Sequence, residues 1–429
     1  MRTLVMTMLD LTREQNQRTH HLARKVAECS SETVIVTKVK VTDRGARSLL
    51  RDALRFSAAV SRSGSTTTIA LHPPLNYAQA LAAGLVQGSI VERPPLWRRA
   101  TATLLSLAGV TRDLVLVPSF VLTVLAKGGG RFDLCVVEGP WSGASAIVLK
   151  ALGRVKHVVY DDIDHVAGGQ MLALRRGYVA ALEAAAMRRA DLVVSAGWRL
   201  GEHRRQTTGR AVQVIPNGAD QALFAAALDR RPHPPTLVYV GHLEAVRGVD
   251  LAIRALPAIA ARVPGVRLLV IGDGDGRYVD GLRSLAVAMG VADRVELRGP
   301  LPHDQVPGVL AESDLGLATF RLTPLGAFAF PLKVIEYMAA GLPVLCTRDT
   351  EAEQILIRYP AGRAVAFTPE ALAEAAIALL TDGTAYADAQ RAAAEASKVF
   401  SWERAMHDEL EAIAAIPGLS MRAAAGVGR

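Results

Sequence analysis

Cysteine is scarce in this chain: three among 429 residues, Cys29, Cys135 and Cys346, far apart and each inside an apolar stretch. That spacing excludes a metal-ligand pattern and an even-numbered disulfide framework, and it points to a reducing cytosol. Long hydrophobic runs are missing as well. No stretch reaches the ~18–20 apolar residues that a bilayer span needs. The nearest, LVLVPSFVLTVLA at 114–126, stops short and contains Pro118. The opening MRTLVMTMLD has an apolar run too short for a secretory leader and reads as a first β-strand. Aromatic residues make up 5%, the basic residues are dispersed and no nucleic-acid motif occurs, so nucleic acid is not expected as a partner.

Half of the residues are apolar, and the length exceeds what one ordinary core holds, so two domains are expected. The net charge of +8 suits anionic partners without choosing among them. In the second half, TLVYVG (236–241), VRLLVIGDG (266–274), RVELRG (294–299), LGLAT (315–319) and LPVLCT (342–347) alternate with helical patterns. Near-continuous apolar strands alternating with helices predict a parallel sheet covered on both faces, a Rossmann-like domain. The first half repeats the theme with TLVMTML (3–9), TVIVTKV (33–39), TTTIALH (66–72), DLCVVEG (133–139), HVVYDD (157–162), DLVVSA (191–196) and VQVIPNG (212–218). The expected class is α/β, with two doubly wound domains facing a cleft. Their expected limits are 1–220 and 221–399, followed by an amphipathic helix at 400–416 and a disordered tail at 417–429.

Ligands of open parallel sheets bind beyond the carboxyl ends of the strands. FPLKVIEYMAAGLPVLCT (330–347) starts a helix there, with Pro331 at its first position and Gly341 and Pro343 as its stop. The helix N-terminus favours an anion. Lys333 lies in the first turn and Glu336 one turn on, on the same face. A carboxylate so placed suits the vicinal hydroxyls of a ribose, and the ammonium suits a phosphate. The plainer alternative is a helix-surface ion pair worth about 0.3–0.5 kcal/mol.

PLKVIEYMAAGLPVL resembles the nucleotide-binding motif of GT-B glycosyltransferases similar to family 4, in the subgroup reading Pro-Leu-Lys-x-x-Glu-Tyr-Met-Ala. YVGHLEAVRGVDLAIRAL (239–256), LLVIGDGDG, VELRGPLP (295–302), SDLGLA (313–318) and, upstream, VIPNGADQALF (214–224) follow the order of that family. The resemblance implies that Glu336 binds the donor ribose and that Arg247 and Lys333 reach its diphosphate. It implies that Gly299, Pro300 and Leu301 line the base, and that Gly241, His242, Pro331 and Leu332 complete the donor site. The chain departs from the family where His242 replaces the usual arginine after the first glycine. Phe328 likewise replaces the first glutamate of a paired motif, eight residues before Glu336, which leaves retention or inversion open. The GDGDG run lacks the third glycine of a dinucleotide fingerprint, with Arg277 in its place.

On the acceptor side, YDDIDHVAGG (160–169) follows a strand. Asp164 is the expected base for the acceptor hydroxyl, with Asp162 and His165 as acceptor-binding residues. A helix cap or a solvated turn is the plainer reading, and metal binding by Asp161, Asp162 and Asp164 is a third. REQNQRTHHLARKVAEC (13–29) brings Gln15 to His21 near the same end by family analogy, and otherwise reads as a solvated basic face. RPPLWRRATATLLSLAGV (93–110), with Trp97, Arg98 and Arg99, reads as a helix over the core or as a peripheral contact with an anionic membrane.

The resulting expectation is a metal-independent, hexosyltransferase-like glycosyltransferase without cofactor. It would move a sugar from a UDP- or GDP-linked donor to a glycan, lipid-linked or small-molecule acceptor, as in polysaccharide biosynthesis. Its expected place is the cytoplasm or the inner face of the membrane. The alternatives are a nucleotide-sugar epimerase on the same fold and an inactive nucleotide-sugar-binding partner subunit.

Overall fold

Strands without a polar face must be covered on both sides, and the chain does this with two sheets. The computed structural model describes residues 1–11, 18–39, 56–73, 96–169, 173–230 and 232–421, with backbone alone for 96–109, 111, 112 and 173. Two units result. One comprises Met1–Ala196, Leu200–Ile215 and the residues from Met406 on; the other comprises Gly197–Arg199 and Pro216–Ala405.

In the first unit, β1 (Arg2–Thr7), β2 (Glu32–Lys38), β3 (Ser57–Ser63), β4 (Thr66–His72), β5 (Phe132–Glu138), β6 (Val155–Asp162), β7 (Leu192–Ser195) and β8 (Gln213–Val214) form one sheet in the order β3-β4-β2-β1-β5-β6-β7-β8. Every pairing is parallel except β3 with β4. The sheet's helices include α1 (Arg18–Glu28), α2 (Leu96–Lys127), α3 (Pro140–Ala151), α4 (Ala173–Arg189) and α5 (Trp198–Thr208). Leu4, Met6, Val34, Val36, Cys135 and Val158 sit in its core.

The second unit contains α6 (Gln221–Phe224), β9 (Thr236–Val240), α7 (Val249–Arg262), β10 (Arg267–Ile271), α8 (Gly276–Ala288), β11 (Val295–Gly299) and α9 (Val306–Leu310). There follow β12 (Leu315–Ala318), α10 (Leu332–Ala339), β13 (Val344–Thr347), α11 (Glu351–Arg358), β14 (Gly362–Val365), α12 (Pro369–Thr381), α13 (Gly383–Ser397) and α14 (Trp402–Ala414). The strand order is β11-β10-β9-β12-β13-β14, all parallel. That order reverses between β9 and β12, and a sheet of this kind opens its ligand crevice at the reversal. In the first unit the reversal falls between β1 and β5.

Several expectations need correction. The passage to the second unit falls after Ile215, not at 220, and α14 counts with the first unit from Met406 on. Strand β3 was not foreseen: its residues are mostly exposed, so no apolar alternation marks it, and it exists as a hairpin arm turned at Gly64 (φ 56°). Helix α2 runs through Pro118, from Leu96 to Lys127. Pro331 is the N-cap of α10 with extended backbone, one place earlier than expected. The C-terminal stop is as expected: Gly341 (φ 69°) donates to the Met338 carbonyl and Leu342 to that of Tyr337, a Schellman closure. Gln15, residues 93–95 and the end of the tail lie outside the described residues.

One buried ion cluster ties distant parts of the first unit. The Arg18 guanidinium donates to Asp161 Oδ1 (2.9 Å), to the Ile215 carbonyl (2.6 Å) and to Glu409, with all three side chains at most 1% exposed. One cation faces two carboxyls, and burial raises the values of both Asp161 and Glu409 against the pull of Arg18. Arg18→Ala is therefore expected to lose about 3–5 kcal/mol by stranding buried carboxyls. Glu409→Gln, which keeps shape and hydrogen-bonding capacity, should lose about 1 kcal/mol or less. Urea unfolding midpoints of the two variants check this, and equal losses would refute it.

Candidate functional site

At the reversal point of the second sheet, β9 and β12 share only the pairs Leu237–Leu315 and Val238–Gly316 before they part. The amide of Val240 would be left open there, and it donates instead to Tyr337 Oη of α10 (2.8 Å). The Tyr337 ring lies so close to Gly316 that a Cβ there would come within 2.3 Å of it. This fastening sets the first turn of α10 against the tip of β9.

Lys333, in that first turn, is 9% exposed. Its Nζ stands 3.7 Å from the centre of the Tyr239 ring and 5.7 Å from that of Phe320. Arg247 places its guanidinium carbon 5.2 Å from the same Phe320 ring while its Nε donates to Glu244 Oε1 (2.9 Å). The two cations thus share one aromatic face. Burial, and next the neighbouring Arg247, push the Lys333 ammonium well below the ordinary lysine value, and Glu336 and Glu244 pull weakly the other way. Among the described residues no carboxylate pairs with Lys333, so the helix-surface pair with Glu336 is not what forms. Gly241 (φ 137°) stands beside the ammonium, where a Cβ would lie 2.9 Å from Nζ. The absence of a side chain keeps that space open next to two cations, which is the form of an anion site.

The Arg247 loop is held from the other side of the reversal point. Thr319 Oγ1 donates to the Gly248 carbonyl (3.1 Å), Arg321 N–H to Val246 (2.9 Å) and Arg321 Nε to Ala245 (2.9 Å). His242 is half exposed, with Nδ1 3.4 Å from Asp273 Oδ1. The glycines of GDGDG serve a purpose other than cradling a dinucleotide. A Cβ at Gly272 would meet the Gly241 carbonyl at 1.9 Å and one at Gly274 the Leu243 carbonyl at 2.1 Å, so they let two chain segments run side by side.

Glu336 is partly buried and accepts from His303 Nε2 at 2.9 Å. His303 follows Gly299 (φ 82°), Pro300 and Leu301 by two residues, so this contact ties the expected base-lining run to the expected ribose carboxylate. Pro331 is buried at the cap, and Leu332 is half-buried. His303 was missed in the sequence although it stands just past the quoted VELRGPLP. The aromatic floor of Tyr239 and Phe320 was missed too, because strand-end aromatics look like ordinary core.

The acidic segment of the first unit is dispersed by its partners. Asp161 belongs to Arg18, and Asp162 gives both oxygens to Arg204 (2.8 and 3.1 Å), which also holds Glu183 at 3.0 Å. Asp162 is 2% exposed, so it is a structural anion and not a contact for an acceptor. The metal reading of Asp161, Asp162 and Asp164 falls for the same reason, and among the described residues no cluster of three metal-binding side chains occurs. Asp164 is exposed, and His165 packs edge-on to His203 at 4.9 Å. Burial, then Arg204 and His203, lower His165 to about 4, so it is neutral at ordinary pH.

Sequence reasoning also passed over Glu138, the carboxylate that ends the apolar strand FDLCVVE at this unit's reversal point. Its Oε2 accepts from Thr19 Oγ1 (3.2 Å) and from Thr7 Oγ1. Burial raises it to about 7; the charges of Asp161 and Asp164 push the same way, against the two hydroxyls.

Comparison with known proteins follows from this geometry. The family described as Glycosyl transferases group 1 matches residues 234–382. A GDP-mannose-dependent alpha-(1-6)-phosphatidylinositol monomannoside mannosyltransferase of Mycolicibacterium smegmatis is 28% identical, over 60% of this chain and 69% of that one. A D-inositol 3-phosphate glycosyltransferase of Segniliparus rotundus is 30% identical, over 32% of each. The chain thus spans between 32% and 69% of the length of these relatives. Among solved structures, sucrose-phosphate synthase from Thermosynechococcus elongatus superposes with TM-score 0.68 at 17% identity, over 96% of this chain and 98% of that one. The Anabaena protein HepE in complex with UDP gives TM-score 0.68 at 18% identity, over 96% of this chain and 100% of that one. These likenesses establish the fold as GT-B.

The His303–Glu336 contact makes a pH-dependent prediction. The hydrogen bond to Glu336 raises the His303 value against the cost of burial, with Asp220 and Asp304 adding to it. A raised histidine stabilises fully below its unfolded value of about 6.5 and loses that contribution as pH rises through the folded value. Wild type should therefore melt above His303→Gln at about pH 6 and converge with it by about pH 8.5. A melting difference that does not change with pH would mean that the pair is a neutral hydrogen bond.

Proposed function

Proceeding from a chain that carries a group 1 glycosyl transferase domain on a GT-B fold, we propose that it transfers a sugar from a nucleotide-sugar donor to an acceptor hydroxyl. The observation that carries this is the pair of cations at the reversal point of the second sheet, Lys333 and Arg247, over one aromatic face and beside the bare Gly241. An entering diphosphate supplies the negative charge that the buried Lys333 ammonium lacks, and both cations oppose the charge that grows on it as the sugar leaves. Glu336, one helical turn further, accepts from the ribose hydroxyls, and Gly299 to Leu301 line the base. The donor is UDP- or GDP-linked; the mycobacterial relative depends by name on GDP-mannose and the Anabaena structure holds UDP. His242, Pro331 and Leu332 border this site.

The acceptor is taken by the first unit. The relatives' names point to inositol phosphates and phosphatidylinositol mannosides, which supports a polyhydroxylated acceptor that is phosphorylated or lipid-linked. Asp164 is exposed, so it is the base if the reaction inverts; if it retains, the diphosphate takes the proton and Asp164 positions the acceptor. Glu138 is the second candidate, placed at the strand reversal with a value near neutrality. No metal or cofactor has a part in this scheme. The contact with a membrane expected at Trp97, Arg98 and Arg99 belongs to the same proposal.

Calorimetric titration with UDP, GDP and their sugars tests the donor site. Glu336→Ala should weaken nucleotide binding by about 1.5–3 kcal/mol, roughly 10- to 100-fold. Lys333→Met should lower turnover on the order of a hundredfold, and EDTA should leave turnover unchanged. Binding that survives Glu336→Ala intact would sink the assignment. With an acceptor in hand, Asp164→Asn and Glu138→Gln separate the two bases: loss of the one that serves abolishes the acidic limb of the pH–rate profile. His242→Arg answers the inactive-subunit alternative, because a decayed site gains no activity from the added charge.

A further inference from the structure

Four consecutive carbonyls of the loop that carries Arg247 are taken up by two residues just past β12. Arg321 donates from Nε to the Ala245 carbonyl (2.9 Å) and from its amide to that of Val246 (2.9 Å). The Thr319 hydroxyl is shared between the carbonyls of Arg247 (3.3 Å) and Gly248 (3.1 Å). Carbonyl oxygens committed there are withheld from an entering phosphate, which they would repel. The two segments also touch. At Gly248 (φ 68°) a Cβ would lie 2.1 Å from the Thr319 carbonyl oxygen, so the loop has no slack towards residues 319–321.

That segment is itself fixed. Thr347 Oγ1, 1% exposed at the end of β13, donates to the Phe320 carbonyl (2.7 Å) and accepts from the Phe320 amide (3.0 Å). Phe320 thereby holds its ring against both cations of the anion site. Arg321, next in the chain, is differently engaged. It donates from Nη2 to Asp250 in the first turn of α7, so its charge already has a partner. Its guanidinium carbon lies 4.7 Å from the centre of the Phe367 ring. Nε and Nη2 together span the loop and α7. A planar guanidinium supplies that two-pronged grip, and an ammonium does not.

On the donor reading of Arg247 and Lys333, we infer that Arg321 is a positioning residue. It sets the loop on which Arg247 meets the diphosphate and does not touch the diphosphate itself. A residue that acts through Arg247 loses its effect once Arg247 is gone.

Calorimetric titration of the full chain with UDP and GDP tests this on wild type, Arg321→Ala, Arg247→Ala and the two substitutions combined. Arg321→Ala should weaken binding of the nucleoside diphosphate by about tenfold. The combined variant should bind no more weakly than Arg247→Ala alone. Uridine and guanosine, which carry no phosphate, should bind all four proteins alike. Arg321→Lys keeps the charge without the fork, and it should bind the diphosphate about as weakly as Arg321→Ala. This conservative variant serves even if the alanine chain folds poorly. Losses that add in the combined variant overturn the inference in favour of a direct contact with the diphosphate. Wild-type affinity in Arg321→Ala or in Arg321→Lys overturns it too. Nucleoside binding that falls in step with diphosphate binding does the same, because it marks an arginine that only keeps the fold. Wild type that binds neither UDP nor GDP is a different result: the donor site then fails, and the role of Arg321 with it.

Discussion

A lysine ammonium buried against a tyrosine ring, with no carboxylate closing on it among the described residues, is the constraint around which the second unit is arranged. Burial alone drives such a group towards its neutral form. A ring face at 3.7 Å offsets part of that cost, on the order of 1–2 kcal/mol. The neighbouring Arg247 works against the charge, and its own acid, Glu244, is turned towards Arg247 itself. What remains unsatisfied is an affinity for an anion. Around that space stand the bare Gly241, the Tyr337 hydroxyl that takes up the Val240 amide where the strands part, and the Thr319 and Arg321 contacts that hold the arginine loop.

The two sheets carry opposite chemistry at corresponding places. Both strand orders reverse once, and a side chain with unusual electrostatics sits at each reversal. In the second unit it is the lysine just described. In the first it is Glu138, a carboxyl raised towards 7 by burial and by two acidic neighbours. The remaining charges of the first unit's acidic segment are spent internally: Arg18 and Arg204 bind Asp161 and Asp162 within the core. Asp164 is exposed, and Glu138 is raised to about 7. Proton transfer needs groups of this kind, and phosphate binding needs those of the other unit.

Much of this was legible in the sequence, and the divide has a physical basis. Apolar runs of four to six residues mark parallel strands, because both faces of such strands are buried; β9, β10, β12 and β13 stand where those runs predict. The exposed arm β3 has no such pressure on its residues and left no pattern. Lys333 and Glu336 were visible because charges on an otherwise apolar helix are conspicuous. Their partners were not: Glu336 meets His303, 33 positions away, and Lys333 meets Tyr239, 94 positions away. The acidic run YDDID shows the same limit from the other side. Its composition suggests a site, and only the positions of Arg18 and Arg204 reveal that two of its carboxylates are structural.

The stretch 114–126 of α2 illustrates why apolar content alone cannot separate a core helix from a surface one. LVLVPSFVLTVLA looks like core by composition, and half of it is: Leu116, Phe120 and Val124 are fully buried. The leucines at 114, 122 and 125 are the other half, on the opposite side of the same helix. A helix apolar all round is stable only where both sides are dry. One side is covered by the sheet and α3, and the small polar residues Ser119 and Thr123 are tolerated there because each satisfies its hydroxyl on the helix's own backbone. Composition shows that both sides of such a helix are apolar; only the sheet's position shows which side is covered.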